Sequence, residues 1–552
     1  MRLPRLRGAE RRQAQSLLAR PTDGAADPQG SGYTAPEAPG SPACSDHFCV
    51  HWVAVGADAP DPTDANANAV PDYVESAIEI AERSRSVEVD QLGWRPAKSD
   101  GVIGTDSGKT DIYLKQLGGT NIYGYAAPDP GQSISSQDPT VYGYLVIDND
   151  FQKSEFPTYS SPITPLQVTL AHEFNHILQF GYDVNQDTWF LESTAVWMEG
   201  KVYPEAFDYL QYLRGWVQLS ARPLTTFNGT DPNDRRNVKV YGTAVWNKWL
   251  DAQFGAGVVR GAWETSLTTE PSSFAIAAYD KSIRALGGSG FADQFDRFAA
   301  ATAEWQALDS GFPEGSRYPD VARAGSLSVD AAGGTVKLNH TTYALVDVRP
   351  TSVLRIRLGM TAPAGTRAAM ALVGRTGAAI GGRETVLLRA LPKGGSGTVT
   401  IVNPSRFSRL TAVLVNSDAQ LAGASSLTGD WKYARDAQPY YTRVSTDFTA
   451  PHVLRVSPKA GARSVSRGAR VKVTFSEPVM GVSLGSLQLL ASNGRAVRAT
   501  VNFKKGSRVA TLVPYGGLRP GARYRVKVSR TITDRAVNPL ARIAMWSFTA
   551  AG

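Results

Sequence analysis

Residues 164–181 read TPLQVTLAHEFNHILQFG, and the fold class turns on them. Leu166, Leu170, Phe174, Ile177 and Leu178 recur at helical spacing and predict one apolar face. Thr164 suits an N-cap, Pro165 the first helical position and Gly181 the stop. On such a helix His172 and His176 lie one above the other, because residues four apart share a face. Two imidazoles stacked in this way can share one tetrahedral zinc ion. Glu173 projects beside them, where its carboxylate can act as general base on a zinc-activated water. The chain has only six histidines, so His-Glu-x-x-His on a well-bounded amphipathic helix is informative.

A third ligand is expected a short turn downstream. The sequence continues Asp187-Thr188-Trp189-Phe190-Leu191-Glu192-Ser193-Thr194-Ala195-Val196-Trp197-Met198-Glu199. No third histidine follows at the spacing of the histidine-rich metzincin type. Trp189, Glu192 and Ala195 instead resemble the Trp-x-x-Glu-x-x-Ala-like helix of the gluzincin metallopeptidases. That resemblance implies a zincin-like catalytic domain with Glu192 as third zinc ligand; Glu199, two turns along the same face, is the rival. Val196 stands where some gluzincins place an acidic partner for a zinc-binding histidine, which leaves that role to Glu199 or Asp187. Several gluzincins also use a tyrosine to stabilise the oxyanion, and Tyr241 has a similar Tyr-Gly-x-x-x-Trp context. An aromatic core residue is the alternative reading of Tyr241.

Outward from this helix the chain changes character several times. At 552 residues it is too long for one hydrophobic core. Residues 1–40 begin Arg/Ala-rich and become rich in Gly, Pro, Ser and Ala, which predicts a disordered or propeptide-like leader. Residues 41–320 mix strand-like TDIYLKQL (110–117) and VYGYLVIDN (141–149) with helical patterns, most of which follow them, predicting an α+β catalytic domain. Residues 321–435 give short β-branched runs separated by Gly, Pro, Asn and Ser, which predict an all-β sandwich. Residues 436–450 read as a linker, and 451–552 as a second sandwich.

That last unit resembles bacterial Ig-like domains of the S-layer type. The resemblance rests on Val456-Ser457-Pro458, Val473-Thr474-Phe475-Ser476-Glu477-Pro478-Val479, Leu518–Tyr524, Ile532–Leu540 and Trp546-Ser547-Phe548. It implies an exported bacterial protein, secreted or held at the cell surface, whose sandwiches contact surface or matrix. His340 and His452 are isolated in the sequence and read as surface residues.

Two further stretches carry ligand chemistry. Asp64, Asn66, Asn68, Asp72 and Glu75 place side-chain oxygens at positions 1, 3, 5, 9 and 12 of a loop, with the Val70 carbonyl at 7. This is the spacing of an EF-hand-type calcium loop, and it resembles the calcium loops of dockerin-like and thrombospondin-type modules. Ala69 replaces the usual glycine, and an Asx-turn loop capping a helix near Asp72 is the competing reading. Cys44 and Cys49 are the only cysteines. Their spacing suits a disulfide in an oxidising compartment, with a Cys/His zinc knuckle through His47 and His51 as the alternative.

Composition excludes other classes. No run approaches the roughly 18 apolar residues of a membrane helix. The net charge is +8, but 58 basic and 50 acidic residues are interspersed, so no nucleic-acid stripe forms. The Arg-rich start lacks the apolar core of a signal peptide, so export needs an upstream signal or another route. The expectation is a monomeric, secreted zinc endopeptidase acting on protein or peptide. The alternatives are a surface adhesin with a vestigial or structural zinc site, or a zinc hydrolase of a non-peptide bond.

Overall fold

The computed structural model describes residues 20–22, 32–99, 101, 108–120, 122–129, 132, 135, 138–226, 238–267, 274–422 and 433–552. Much of the predicted leader, residues 1–19 and 23–31, lies outside the described residues.

An α/β region comes first. Its strands are β1 (Ala43–Cys44), β2 (Phe48–His51), β3 (Thr110–Lys115), β4 (Gly124–Pro128) and β5 (Gly143–Asp148), in the order β1-β2-β3-β5-β4. β2, β3 and β5 are parallel, and β4 runs antiparallel at the outer edge. Parallel neighbours need a crossover. Helix α1 (Asp72–Arg85) lies in the one between β2 and β3.

Strand alternation sorts the sheet's faces. Phe48, Val50, Ile112, Leu114, Leu145 and Ile147 join the core beneath α1 and α2 (Ile163–Phe180). His51, Asp111, Tyr113, Tyr144 and Val146 point the other way, and chain N-terminal to β1 covers them. Arg20 pairs with Asp129 at 2.6 Å, the Tyr33 hydroxyl donates to the His51 carbonyl, and Glu37 bridges to Val53. The leader boundary at residue 40 is therefore corrected: residues 33–40 pack on the domain, and apolar Ala38 is buried there.

Helix α2 starts at Ile163, not after Thr164. Proline at 162 and 165 is tolerated because first-turn N–H groups lack helical partners, and the Ser161 hydroxyl accepts from the Ile163 N–H. The helix ends at Phe180 with Gly181 at the cap, as its sequence predicts. Helix α3 (Thr188–Val202) packs against it. Helices α4 (Leu213–Gln218), α5 (Lys239–Gly242), α6 (Ala244–Phe254), α7 (Gly257–Thr265), α8 (Ala275–Ala285) and α9 (Phe291–Ala301) complete the region.

The next unit is a two-sheet sandwich of β6 (Ser326–Leu327), β7 (Gly334–Leu338), β8 (Thr342–Val348), β9 (Arg355–Ala362), β10 (Ala368–Thr376), β11 (Arg383–Leu391), β12 (Gly395–Val402), β13 (Arg409–Asn416) and β14 (Gln438–Ser445). The sheets are ordered β11-β10-β13-β8-β6 and β12-β9-β14-β7. β14 corrects the linker assignment. Residues 438–445 lie between β9 and β7, and buried Tyr440, Thr442 and Val444 alternate along the strand. Pro439 and the polar residues between them mask that alternation in the sequence.

β10 and β13 are apolar on both faces. Met370, Leu372 and Leu414 fill the sandwich, while Ala371, Val373, Val413 and Val415 join the core of the α/β region. Burial on two sides explains the unbroken apolar runs. Residues 451–552 form four-, three- and two-stranded sheets around Val473, Phe475, Leu512, Val526 and Phe548. Among the described residues no helix is long and apolar enough to cross a membrane.

Candidate metal centre

Helices α2 and α3 bring three predicted ligands together. His172 Nε2 lies 3.2 Å from His176 Nε2 and 3.3 Å from Glu192 Oε2; His176 Nε2 lies 3.7 Å from the same oxygen. Of the clusters of potential metal ligands among the described residues, only this one contains histidine.

The surrounding hydrogen bonds fix which ring nitrogens carry protons. His172 Nδ1 meets Glu199 Oε1 at 2.7 Å, and His176 Nδ1 meets Gln179 Oε1 at 2.7 Å. The amide orientation of Gln179 is determined by Leu191, whose carbonyl can only accept and receives Nε2 at 3.1 Å. Gln179 Oε1 therefore faces His176, and His176 Nδ1 must donate. Glu199 imposes the same tautomer on His172. Both Nε2 lone pairs then point at one another and at the Glu192 carboxylate. Without a cation three electron-rich atoms converge, so this donor set fits a metal ion.

The groups perturb one another as expected for such a site. Burial alone would raise the Glu192 carboxyl, but the adjoining His172 and His176 imidazoles hold it well below the carboxylate range. Burial pushes Glu199 up to about 7, against the opposing hydrogen bond from His172. Glu173 is buried and outside the three-atom cluster. Burial raises its pKa, while His172, His176 and the Ala126 N–H oppose that rise. The Tyr241 ring on α5 lies 6.2 Å from the His172 ring, and the Glu192 charge and burial keep its hydroxyl protonated. A cavity of about 200 Å³ opens over these groups, lined by His172, Glu173, Glu199, Tyr241 and Asp208 among others.

The outer hydrogen bonds of His176 are absent from the sequence reading. Gln179 Nε2 also donates to Asn175 Oδ1 at 2.7 Å, and Asn175 Nδ2 donates to Glu88 Oε2 at 2.9 Å. Glu88 is fully buried on a π-helical turn, Ser86–Gln91, and burial raises its pKa strongly. Gln179 is three residues beyond His176, a spacing that could have identified it. Nothing in the sequence points to Glu88. Asp187 takes the N-cap position of α3, and Glu199 is the acidic partner of His172.

The other candidates lie elsewhere. Cys44 and Cys49 form a disulfide. The knuckle alternative does not form, because His47 pairs with Glu82 and His51 with Glu37 and Asp111. In the 64–75 loop Asp64 accepts from the Asn68 and Ala69 N–H groups, and Asp72 accepts from Ala65 N–H. The Asn66 and Asn68 amide N–H groups donate to Glu75, which draws these three side chains together. Ala67 and Ala69 take φ of 58° and 70°, and the loop delivers the chain past Val70 to the start of α1. His340 is no surface residue. It is 6% exposed, stacks on Tyr433 and bonds Thr225 and Asp436.

Residues 28–310, more than half of the chain, match a family of unknown function (DUF6055). The chain belongs to this family. Residues 447–550 of this DUF6055 member match the bacterial Ig-like domain, so its C-terminus is such a domain. No curated protein matches the chain. Solved structures similar to parts of it include the LD transpeptidase LdtMt1 in complex with imipenem, at 22% identity and TM-score 0.14 over 18% of this chain and 40% of that one. The N-terminal part of the bacterial S-layer protein SbsC is similar at 20% identity and TM-score 0.15, over 19% and 24%. CopC from Methylosinus trichosporium OB3b is similar at 22% identity and TM-score 0.16, over 18% and 93%. The chain thus spans less than half the length of the first two.

Proposed function

We propose that the α/β region is a zinc-dependent, gluzincin-type endopeptidase, with His172, His176 and Glu192 as zinc ligands and Glu173 as general base. One observation carries this reading: two oriented Nε2 lone pairs and a carboxylate converge, with a buried glutamate beside them. Bound zinc would supply a Lewis acid for a carbonyl and make a water acidic near neutral pH. A purely structural metal site needs no such base. Glu173 has a raised pKa and an adjacent backbone donor, which suits a carboxylate that takes up a proton and returns it to a leaving amine. The protonated Tyr241 hydroxyl is the candidate donor to a developing oxyanion.

A peptide substrate is favoured by β4. Asp148 N–H donates to the Tyr123 carbonyl, so alternation leaves Gly124 and Ala126 with backbone groups turned from β5. An outer strand beside the general base suits an extended peptide. Action outside the cell is part of the proposal, supported by the disulfide and the Ig-like domain. That domain also favours a second reading, a surface-binding protein.

Metal analysis of the full chain with casein cleavage, for wild type and Glu173→Gln, tests the proposal. The expected result is about one zinc in both proteins and chelator-sensitive cleavage in the wild type alone. Zinc-free wild type, or cleavage retained by Glu173→Gln, rejects the mechanism. Zinc in both without cleavage favours the binding reading or a non-peptide substrate.

A further inference from the structure

The cavity over Glu173 also holds groups that hydrolysis does not require. Tyr123, Tyr159 and Tyr212 line it together with Asp208. Asp208 Oδ1 accepts from the Tyr159 hydroxyl at 2.6 Å, and Oδ2 accepts from Gln211 Nε2 at 2.8 Å. Both donors are neutral, and each carboxylate oxygen retains a further lone pair. Among the described residues no lysine or arginine lines the cavity, whereas Glu173 and Glu199 share it. Asp208 is half-buried, and a carboxylate met only by neutral donors is incompletely compensated.

The tyrosine rings select in the same direction, because an aromatic face carries partial negative charge and attracts a cation. At about 200 Å³ the cavity is smaller than the roughly 300–1,000 Å³ pockets of drug-sized ligands. It has room for one side chain. An apolar side chain would cover Asp208 without pairing it, and an acidic one would add to its charge.

We propose that this cavity is a side-chain subsite for lysine or arginine, with Asp208 as its specificity-determining residue, so that the substrates are basic peptides or proteins. The substrate class rests on the peptidase reading; the cation preference of the cavity does not.

Two measurements on the full chain keep these apart. In the first, Glu173→Gln protein is titrated with Nα-acetyl-lysine N-methylamide, the arginine analogue and the uncharged norleucine analogue. A cationic analogue should bind at least about ten-fold more tightly than norleucine, the value of one charge-assisted hydrogen bond. Asp208→Asn should abolish that difference and Asp208→Glu retain it. Equal binding of charged and uncharged analogues, or binding of none, overturns the subsite, and this comparison stands even where the Asp208 variants fail to fold.

In the second, zinc-loaded wild type is given matched quenched peptides that differ at one position, Lys, Arg, norleucine or Asp. The basic peptides should be cleaved with kcat/KM at least about ten-fold higher. Cleavage without basic preference overturns the subsite and leaves the peptidase reading intact. Cation-selective binding without cleavage of any peptide supports the subsite and rejects the peptidase.

Discussion

His172 Nδ1 lies 2.7 Å from Glu199 Oε1, while the second Glu199 oxygen is buried without a hydrogen-bond partner among the described residues. The carboxylate is thus committed to one task, holding the imidazole in the tautomer that leaves Nε2 free. Removing it should loosen the metal without removing a ligand. Glu199→Ala is expected to weaken zinc binding about 10–100-fold, the usual cost of losing an outer partner of a ligating histidine. Glu199→Gln keeps an acceptor and should lose less. Competition against a fluorescent chelator measures both, and an unchanged affinity in Glu199→Ala would show that the ring is oriented by other contacts.

Gln179 serves His176 in the same way and also closes the chain to Asn175 and Leu191. Gln179→Leu leaves the His176 Nδ1–H, the Asn175 side-chain oxygen and the Leu191 carbonyl each short of a partner. The expected loss is about 1–3 kcal/mol of stability, from stranded buried polar groups, together with weaker zinc binding. Urea unfolding with and without metal reads both effects. Wild-type stability in this variant would mean that water replaces the amide.

Of these two relationships the sequence offers the first, through Glu199, and not the second. The helix bearing His172 and His176 could be read because its apolar period and its stop are local. Glu192 could be read because its spacing resembles a known helix. Asp208, 36 positions past His172 on a 3-10 turn after Phe207 at φ 48°, reaches the same cavity only through the packing of α3. The packing of residues 33–40 is hard to read because Ala, Pro and Gly there resemble a leader, whereas Ala38 joins the core that holds Trp52. β14 is hard to read in the sequence because Pro439 and two tyrosines obscure an alternating strand.

The sandwich boundary near residue 320 carries a further consequence. Tyr343, Leu345, Val373, Val413 and Val415 lie in the same core as the helices, the Trp216 indole donates to the Tyr343 hydroxyl at 3.0 Å, and Arg375 pairs with buried Glu304 at 2.8 Å. A chain ended at residue 320 exposes the helical side of this contact. It should aggregate or melt well below the full chain, whereas a chain ended at 450 should keep the unfolding transition of the α/β region. Fully burying each such aliphatic side chain contributes about 1.5–3 kcal/mol, so the difference should be plain in thermal unfolding. Equal melting of the 320-residue and 450-residue chains would rule out a shared core.

His51 gives the sheet's outer face a pH signature. Burial alone would lower its pKa, but hydrogen bonds to Asp111 at 3.2 Å and Glu37 at 2.8 Å raise it to about 9, from 6.5 in the unfolded chain. A raised folded pKa means that the charged imidazole stabilises the fold fully below pH 6.5, and that this contribution is lost as pH rises through about 9. Glu37 is shifted down, chiefly by its hydrogen bond from His51, so its own contribution is present above its unfolded pKa of 4.5 and lost in acid. The pair should therefore contribute most between about pH 4.5 and 6.5. Linkage gives about 3 kcal/mol as the pH-dependent part for His51. His51→Gln should accordingly be most destabilised against wild type near pH 6, with the gap narrowing by roughly that amount at pH 10. Urea midpoints of the two proteins at both pH values provide the comparison. A gap that stays constant with pH would mean that His51 contributes by packing on Tyr113, whose ring it stacks at 4.5 Å, rather than by charge.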